Sequence, residues 1–142
     1  MEEVKERIKK HEGFIAKPYL DSLGKATIGY GHLITDEDNF EEGKECSKDE
    51  LLKLFDKDFE KAKNGASKLY EGCEISDIAK GLIIEMVFQL GPTGVKKFRN
   101  FWKALKQTPP QYDVAATEMM DSRWAKQTPS RAKELSGIMR EI

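Results

Sequence analysis

Residues 77–90, DIAKGLIIEMVFQL, restrict the fold most strongly, because apolar residues occur on all sides of the helix that they would form. After Asp77 at its start, only Lys80, Glu85 and Gln89 are strongly polar in this stretch. A helix without a polar face must be surrounded by protein, which predicts a buried helix inside a helical lobe. Gly91-Pro92 predicts its end. We expect no membrane-spanning segment and no stable membrane association, since no apolar run reaches about 20 residues.

Further helices are predicted by the spacing of apolar residues. Ser47 and Glu50 form a capping box for a helix that would run to about residue 68, long enough to bridge two lobes. Thr128-Pro129 resembles a helix start, with an N-cap residue and a proline in the first turn. The apolar positions are Leu51, Phe55, Phe59, Ala62 and Ala66; Val95, Phe98, Trp102 and Leu105; Tyr112, Ala115, Ala116 and Met119; and Ala132, Leu135, Ile138 and Ile142.

The N-terminal part has a different pattern. Residues 2–12 predict a short helix whose apolar stripe ends at Glu12, and Gly13 can terminate it. The segment 17–33 is rich in strand formers and glycine, and the Asp-Ser-Leu-Gly turn at 21–24 predicts a hairpin.

On the second strand of this hairpin, alternation would place Thr27, Gly29 and Gly31 on one face, with Ile28, Tyr30 and His32 on the other. The glycine face would let a ligand approach the backbone closely, and we expect it to form the floor of a binding site. Mixed strands and helices in this order predict an α+β fold, mainly α.

Charge divides the chain of 142 residues into two halves. Residues 1–79 hold 13 Lys/Arg against 19 Asp/Glu, and residues 80–142 hold 11 against 6. The basic half could favour a cell-wall glycan or nucleic acid, and an ordinary mixed surface is equally compatible with the counts. We rank nucleic-acid binding last, since no basic helix with groove-facing polar residues is evident. The charged N-terminus lacks the apolar core of a secretory signal, so we expect synthesis in the cytoplasm.

Metal and disulfide sites have little support. Cys46 and Cys73 occur without a CxxC motif or a nearby histidine, which favours two free, partly buried thiols. The acidic segment 35–46, TDEDNFEEGKEC, suggests calcium, but Glu41 stands where an EF-hand needs its turn glycine. We therefore expect a solvated loop there.

Glu12 and Asp21 are the candidate catalytic carboxyls. Apolar surroundings would keep Glu12 protonated, whereas Asp21 in a polar turn would stay ionised, and such a pair can hydrolyse a glycoside. The hydroxyl of Thr27 could hold a water. The same residues could instead be an ordinary helix end and an ordinary turn. His32 is expected to be structural, and with only His11 besides, triad chemistry has little support.

The segment EGFIAKPYLDSLGKATIGYGHL, with Glu12, Asp21 and Thr27 in order, resembles the phage T4-type lysozymes (glycoside hydrolase family 24). Three further motifs in the right order extend the resemblance over most of the chain. They are Ser47-Lys48-Asp49-Glu50 leading to Leu54-Phe55, MVFQLGPTGV (86–95) and SRWAKQTPSRA (122–132).

The resemblance implies one catalytic domain over 1–142. Its small lobe would span about residues 13–60, and its helical lobe about 61–142 together with the N-terminal helix 2–12. A cleft would bind peptidoglycan and cut the β-1,4 bond between N-acetylmuramic acid and N-acetylglucosamine, as in bacteriolysis. Glu12 would be the general acid, and Asp21 and Thr27 would position water for inversion, with the carboxyls roughly 6.5–9.5 Å apart. By similarity, substrate would contact Leu33, Phe88, Gln89 and Phe101.

The resemblance implies no cofactor and no metal, a monomeric enzyme, and action on the wall after release or delivery. Two alternatives stay open at this point. A lytic transglycosylase would use the sugar's own hydroxyl in place of water, and a non-catalytic module would bind glycan without cleaving it. The held water expected at Asp21 and Thr27 favours hydrolysis.

Overall fold

The computed structural model describes residues 1–21, 24–35, 38, 40 and 45–142. Parts of the predicted turn at 21–24 and of the acidic segment 35–46, including Glu41, therefore lie outside the described residues. The elements in chain order are α1 (Glu2–Glu12), β1 (Ile15–Leu20), β2 (Ala26–Gly29), β3 (His32–Leu33), α2 (Lys48–Leu69), α3 (Asp77–Lys96), α4 (Arg99–Leu105), α5 (Tyr112–Met120), α6 (Arg123–Gln127) and α7 (Pro129–Arg140). The α+β, mainly α, fold class is confirmed.

Contacts divide the chain into two compact units, 1–61 and 62–142. These contacts place α1 in the first unit, whereas the family resemblance implied that this helix belongs with the helical lobe. The predicted lobe boundaries stay a prediction. In the first unit, the buried side chains of Ile8, Ile28 and Phe55 form part of a core that α1, β2 and α2 supply.

The small sheet is antiparallel with strand order β1-β2-β3. It differs from the predicted hairpin, because β2 ends at Gly29 and the chain reverses at Tyr30 and Gly31. Gly29 and Gly31 have φ of 67° and 77°, values that side-chain-bearing residues rarely adopt. The predicted alternation is therefore wrong beyond Gly29. Tyr30 instead packs its ring against Phe55, with the centroids 5.5 Å apart.

The predicted glycine floor also differs. A β-carbon on Gly29 would lie 3.3 Å from the Cδ2 of Leu51 on α2, so a core side chain covers this glycine. Gly31 lies against Glu12 in the same way. The close approach that the sequence predicted is real, but it is made by the protein's own side chains.

Helix α2 begins and ends close to its prediction. The backbone N–H of Glu50 donates to the Ser47 hydroxyl at 3.2 Å, as expected of an N-cap serine. The predicted apolar positions of this helix, Leu51, Phe55, Phe59, Ala62 and Ala66, are all buried. The spacing of apolar residues was thus sufficient to find both the helix and its buried face.

In the second unit, α3 carries a run of buried residues from Ala79 to Val87. Gly91 interrupts its helical backbone with φ 77° and ψ 161°, after which Pro92 begins a further short helical segment. Val95 consequently belongs to this segment. The spacing of apolar residues had suggested that it belonged to the next helix, α4. Helix α7 begins at Pro129 after Thr128, as predicted, but Ile142 lies beyond its end and is 39% exposed.

Helix α3 is the one described helix whose length and composition would allow it to cross a membrane. Half of its apolar window is buried inside the protein, and the core helix of a soluble protein meets the same criterion.

A buried ion pair joins α3 to α7. The Nε of Arg131 donates to Glu85 Oε2 at 3.0 Å, and both side chains are almost fully removed from solvent. This pairing explains why a carboxylate is tolerated in the middle of the most apolar helix.

Candidate functional site

Glu12 is the last residue of α1, and its half-buried side chain turns towards the loop between β2 and β3. The next residue, Gly13, has φ 70° and ψ 174°, a conformation open mainly to glycine, which lets the chain leave the helix for β1. The Glu12 carboxyl lies against Gly31, where an added β-carbon would be 2.8 Å from the carboxyl carbon. The missing side chain at position 31 therefore provides the space for this carboxyl.

Asp21 is fixed by the turn that follows β1. Its Oδ1 accepts the backbone N–H of Lys25 at 2.8 Å, and its own N–H donates to the Lys25 carbonyl at 2.9 Å. Its carbonyl accepts the N–H of Gly24. This side chain to backbone bonding is typical of aspartate in turns, and it holds one carboxylate oxygen in a defined direction.

Thr27 lies on β2 and is only 2% exposed. Its hydroxyl donates to the carbonyl oxygen of Lys25 at 2.9 Å. The main chain of Lys25 therefore holds both Asp21, through its N–H, and Thr27, through its C=O. Because the hydroxyl hydrogen of Thr27 is committed to this bond, its oxygen can act only as an acceptor towards a further partner.

Tyr19 is a residue of this region that the sequence analysis missed. It pairs directly with Thr27 across β1 and β2. Burial, together with the nearby charges of Glu12 and Asp21, raises the pKa of the Tyr19 hydroxyl above its ordinary value of 10.0. The available signal was Tyr19's position two residues before Asp21, because alternate residues of an extended chain point to the same side.

His32 is held on both ring nitrogens. Nδ1 lies 2.7 Å from Asp58 Oδ2, and Nε2 lies 3.0 Å from Asp38 Oδ2. The hydrogen bond with Asp58 raises the pKa of His32, outweighing burial, which lowers it, and Asp38 raises it further. The structural role expected for this histidine agrees with these contacts.

Of the four predicted substrate contacts, Leu33 lies in the first unit, on β3 opposite Thr27, and is 48% exposed. Phe88 and Gln89 lie on α3, half-buried. The Gln89 amide oxygen accepts the Trp124 indole N–H at 2.7 Å. Phe101 is fully buried, with its ring 5.1 Å from that of Trp102. The assignment of these four residues to substrate stays a prediction.

A pocket in the second unit has a volume of about 570 Å³. It is lined by aromatic residues that include Phe98, Phe101 and Trp124 and by charged residues that include Glu118 and Arg123.

Cys46 and Cys73 are free thiols and both are half-buried. Within the described ranges, no group of three or more His, Cys, Asp or Glu side chains is arranged to hold a metal ion.

Comparison with known proteins gives consistent matches over nearly the whole chain. The model of the family described as "Phage lysozyme" matches residues 9–141. The chain is 30% identical to "Probable T4-type lysozyme 1" of Dictyostelium discoideum, over 96% of this chain and 92% of that protein. It is 29% identical to "Probable T4-type lysozyme 2" of the same organism, over 95% of this chain and 92% of the relative.

Proposed function

Because the chain belongs to the phage lysozyme family and is therefore a peptidoglycan-hydrolysing muramidase, we propose that Glu12, Asp21 and Thr27 carry out its reaction. The bond cut is the β-1,4 link between N-acetylmuramic acid and N-acetylglucosamine, inside the glycan strand. The observation that carries the proposal is that the main chain of Lys25 holds both Asp21 and Thr27, while the Glu12 carboxyl lies against Gly31 in the loop between β2 and β3. Two carboxyls and a hydroxyl thus meet around one short sheet.

In the proposed reaction, the Glu12 carboxyl gives its proton to the glycosidic oxygen as the bond from that oxygen to the anomeric carbon breaks. A water attacks the anomeric carbon from the opposite face of the sugar and passes a proton to Asp21. The configuration at that carbon inverts, which requires room for a water between the sugar and Asp21.

The hydrogen bonds at Lys25 support this assignment of the water. Asp21 and Thr27 are both tied to the main chain of Lys25, at 2.8 Å and 2.9 Å. Both offer acceptor oxygens, so a water between them would donate one hydrogen to each and turn a lone pair outwards. Such positioning by fixed groups is a large part of the advantage of an enzyme over solution.

The close contact between Glu12 and Gly31 supports the assignment of the acid. Part of the Glu12 side chain is withdrawn from solvent, and the glycine leaves room for its carboxyl and for little else. A general acid must be held at one place relative to the leaving oxygen, and the helix end together with Gly31 provides that restraint.

Activity is tested by adding purified protein to permeabilised Gram-negative cells and following turbidity. Wild type should clear the suspension and Glu12→Gln should not, because the amide cannot give up a proton. Glu6→Gln is the matched control, since Glu6 lies on the same helix, its side chain is exposed, and it pairs with half-buried Lys9 at 3.5 Å. Clearing by Glu12→Gln at the wild-type rate would contradict the assignment of the acid.

Mass spectrometry of the released fragments separates hydrolysis from the two alternatives. Hydrolysis adds one water and leaves reducing ends, whereas a lytic transglycosylase leaves 1,6-anhydro ends. Binding to purified sacculi without any new ends would identify a non-catalytic glycan-binding module.

We also propose that the enzyme is made in the cytoplasm and acts as a monomer on the wall after release or delivery, without stable association with membrane or nucleic acid. The charged α1 helix and the net charge of −1 support weak attachment to anionic surfaces. Light scattering after size exclusion tests the monomer, and sedimentation with anionic vesicles or DNA tests the other two points.

A further inference from the structure

The register of β1 brings Tyr19 into line with two residues already assigned to the site. Tyr19 pairs with Thr27, and Thr27 pairs with Leu33, so the three side chains share one face of the sheet. The register is irregular between Ile15 and Tyr19. Continuing the pairing of Ile15 with Gly29 would have placed Tyr19 opposite Lys25. The irregularity, which contains Pro18, moves the phenol to its position opposite Thr27.

The Tyr19 hydroxyl can also donate a hydrogen bond on this face of the sheet, which Asp21 and Thr27 cannot. Asp21 as a carboxylate has no hydrogen to donate, and the hydroxyl hydrogen of Thr27 is engaged by the Lys25 carbonyl. In the described part of the chain, the Tyr19 hydroxyl has no hydrogen-bond partner. Its pKa is raised by burial and by both carboxylates, so it keeps its hydrogen at neutral pH.

We propose that the Tyr19 hydroxyl holds the attacking water together with Asp21 and Thr27. The water donates its two hydrogens to Asp21 and Thr27 and accepts one hydrogen bond from Tyr19. Three of its four tetrahedral directions are then fixed, and the fourth, a lone pair, faces the anomeric carbon.

Tyr19 keeps its own proton throughout this step. The water oxygen bonds to the anomeric carbon, the water's proton passes to Asp21, and the leaving oxygen takes the proton of Glu12. This role rests on the proposed function, since it concerns the water of that reaction.

The first experiment compares Tyr19→Phe with wild type on soluble peptidoglycan fragments, measuring new reducing ends. Removing the hydroxyl and keeping the ring should lower kcat about tenfold, the effect of losing one hydrogen bond. KM should stay unchanged, because the contact is to water and not to sugar. Tyr30→Phe is the matched control, since it removes the same atom from a ring that packs against Phe14 and Phe55 in the same unit.

The second experiment replaces Tyr19 by 3,5-difluorotyrosine, which keeps the hydroxyl but lowers its pKa. At acidic pH this variant should have the activity that Tyr19→Phe loses. As the pH rises and the fluorinated phenol ionises, the activity should fall, so that the pH profile has an alkaline limb that wild type lacks. A tyrosine that merely packs against the sheet would give no such limb. The same replacement at Tyr30 should leave the pH profile unchanged.

Failure of this role and failure of the proposed function give different results. A Tyr19→Phe variant with wild-type kcat, a change confined to KM, or a difluorotyrosine variant without the new limb would overturn the role of Tyr19 alone. An absence of new reducing ends with wild-type protein would overturn the proposed function, and the role of Tyr19 with it.

Discussion

The carboxyl group of Glu12 occupies the space that a side chain at Gly31 would fill, with the carboxyl carbon 2.8 Å from the position of the missing β-carbon. Glu12 ends a helix and Gly31 follows a strand, so this contact joins the two kinds of structure in the first unit. Gly31 also has a positive φ. Position 31 therefore requires a residue that leaves space for the Glu12 carboxyl and that readily adopts this φ, and glycine meets both requirements.

Gly31→Ala should therefore reduce activity far more than stability. The methyl group would displace the flexible end of Glu12, and a misplacement of about 1 Å can cost roughly 100-fold in rate. The unfavourable φ should lower the free energy of unfolding by about 1–2 kcal/mol. Turnover and urea unfolding, measured on the same preparation, test this pair of effects.

Gly72→Ala is the control for the backbone, because Gly72 has φ 82° and no atom within 4 Å of an added β-carbon. It should lose similar stability and keep its activity. Equal activity in the two alanine variants would contradict the restraint of Glu12 by Gly31.

Thr27→Val should lower turnover by about tenfold or more while costing about 1 kcal/mol of stability. Valine keeps the shape of the side chain but cannot bond to water, whereas the Lys25 carbonyl still accepts the N–H of Asp21. Thr27→Ser, which keeps the hydroxyl, should retain most of the activity. Steady-state rates on soluble fragments check both variants, and a fully active Thr27→Val would contradict the role of this residue.

Stability should depend on pH through His32 and Asp38. The folded-state pKa of His32 is raised above 6.5, so its contribution is complete below about pH 6.5 and is lost as pH rises through the higher value. Burial by itself would raise the pKa of Asp38, but hydrogen bonds from Thr35 and His32 lower it below 3.8. Its contribution is therefore present above pH 3.8 and is lost as pH falls through the lower value.

Asp38→Asn should remove the acid limb that Asp38 supplies and make the alkaline limb of His32 less steep, because the hydrogen bond with Asp58 remains. It should cost about 1–2 kcal/mol near pH 5–6, where both charges are present. Urea unfolding between pH 3 and pH 9 tests this. An unchanged slope on the alkaline side would show that Asp38 does not act on His32.

Removal of one partner of the Glu85 and Arg131 pair should cost about 3–5 kcal/mol, because the other charge stays buried. The double variant Glu85→Leu/Arg131→Met should lose less than the sum of its single variants. A double-mutant cycle by urea unfolding measures the difference, and strictly additive losses would contradict direct coupling.

The sequence was sufficient wherever a local rule decides the structure. The cap at Ser47 and the apolar spacing from Leu51 to Ala66 located α2, and Thr128-Pro129 located the start of α7. Asp21 was correctly placed in a turn, because aspartate bonds to nearby backbone there.

Prediction failed where the chain's own side chains meet across distance in sequence. From a run of glycines alone, one cannot tell whether glycine is needed for a positive φ, for a bound ligand or for a neighbouring side chain. Gly29 and Gly31 both have a positive φ and both lie against a side chain of the protein. The irregular register that places Tyr19 opposite Thr27 depends on the pairing of two strands, which a local sequence pattern does not reveal. The partner of Glu85 lies 46 residues away, beyond any local pattern.

The configuration of the sugar at the moment of cleavage tests the assignment of the water most directly. Proton NMR of soluble peptidoglycan fragments, recorded before the new reducing end equilibrates, shows which anomer forms first. A water directed by Asp21 and Thr27 to the face opposite the leaving group predicts the α-anomer from the β-1,4 bond. Initial formation of the β-anomer, or of a 1,6-anhydro product, would contradict it.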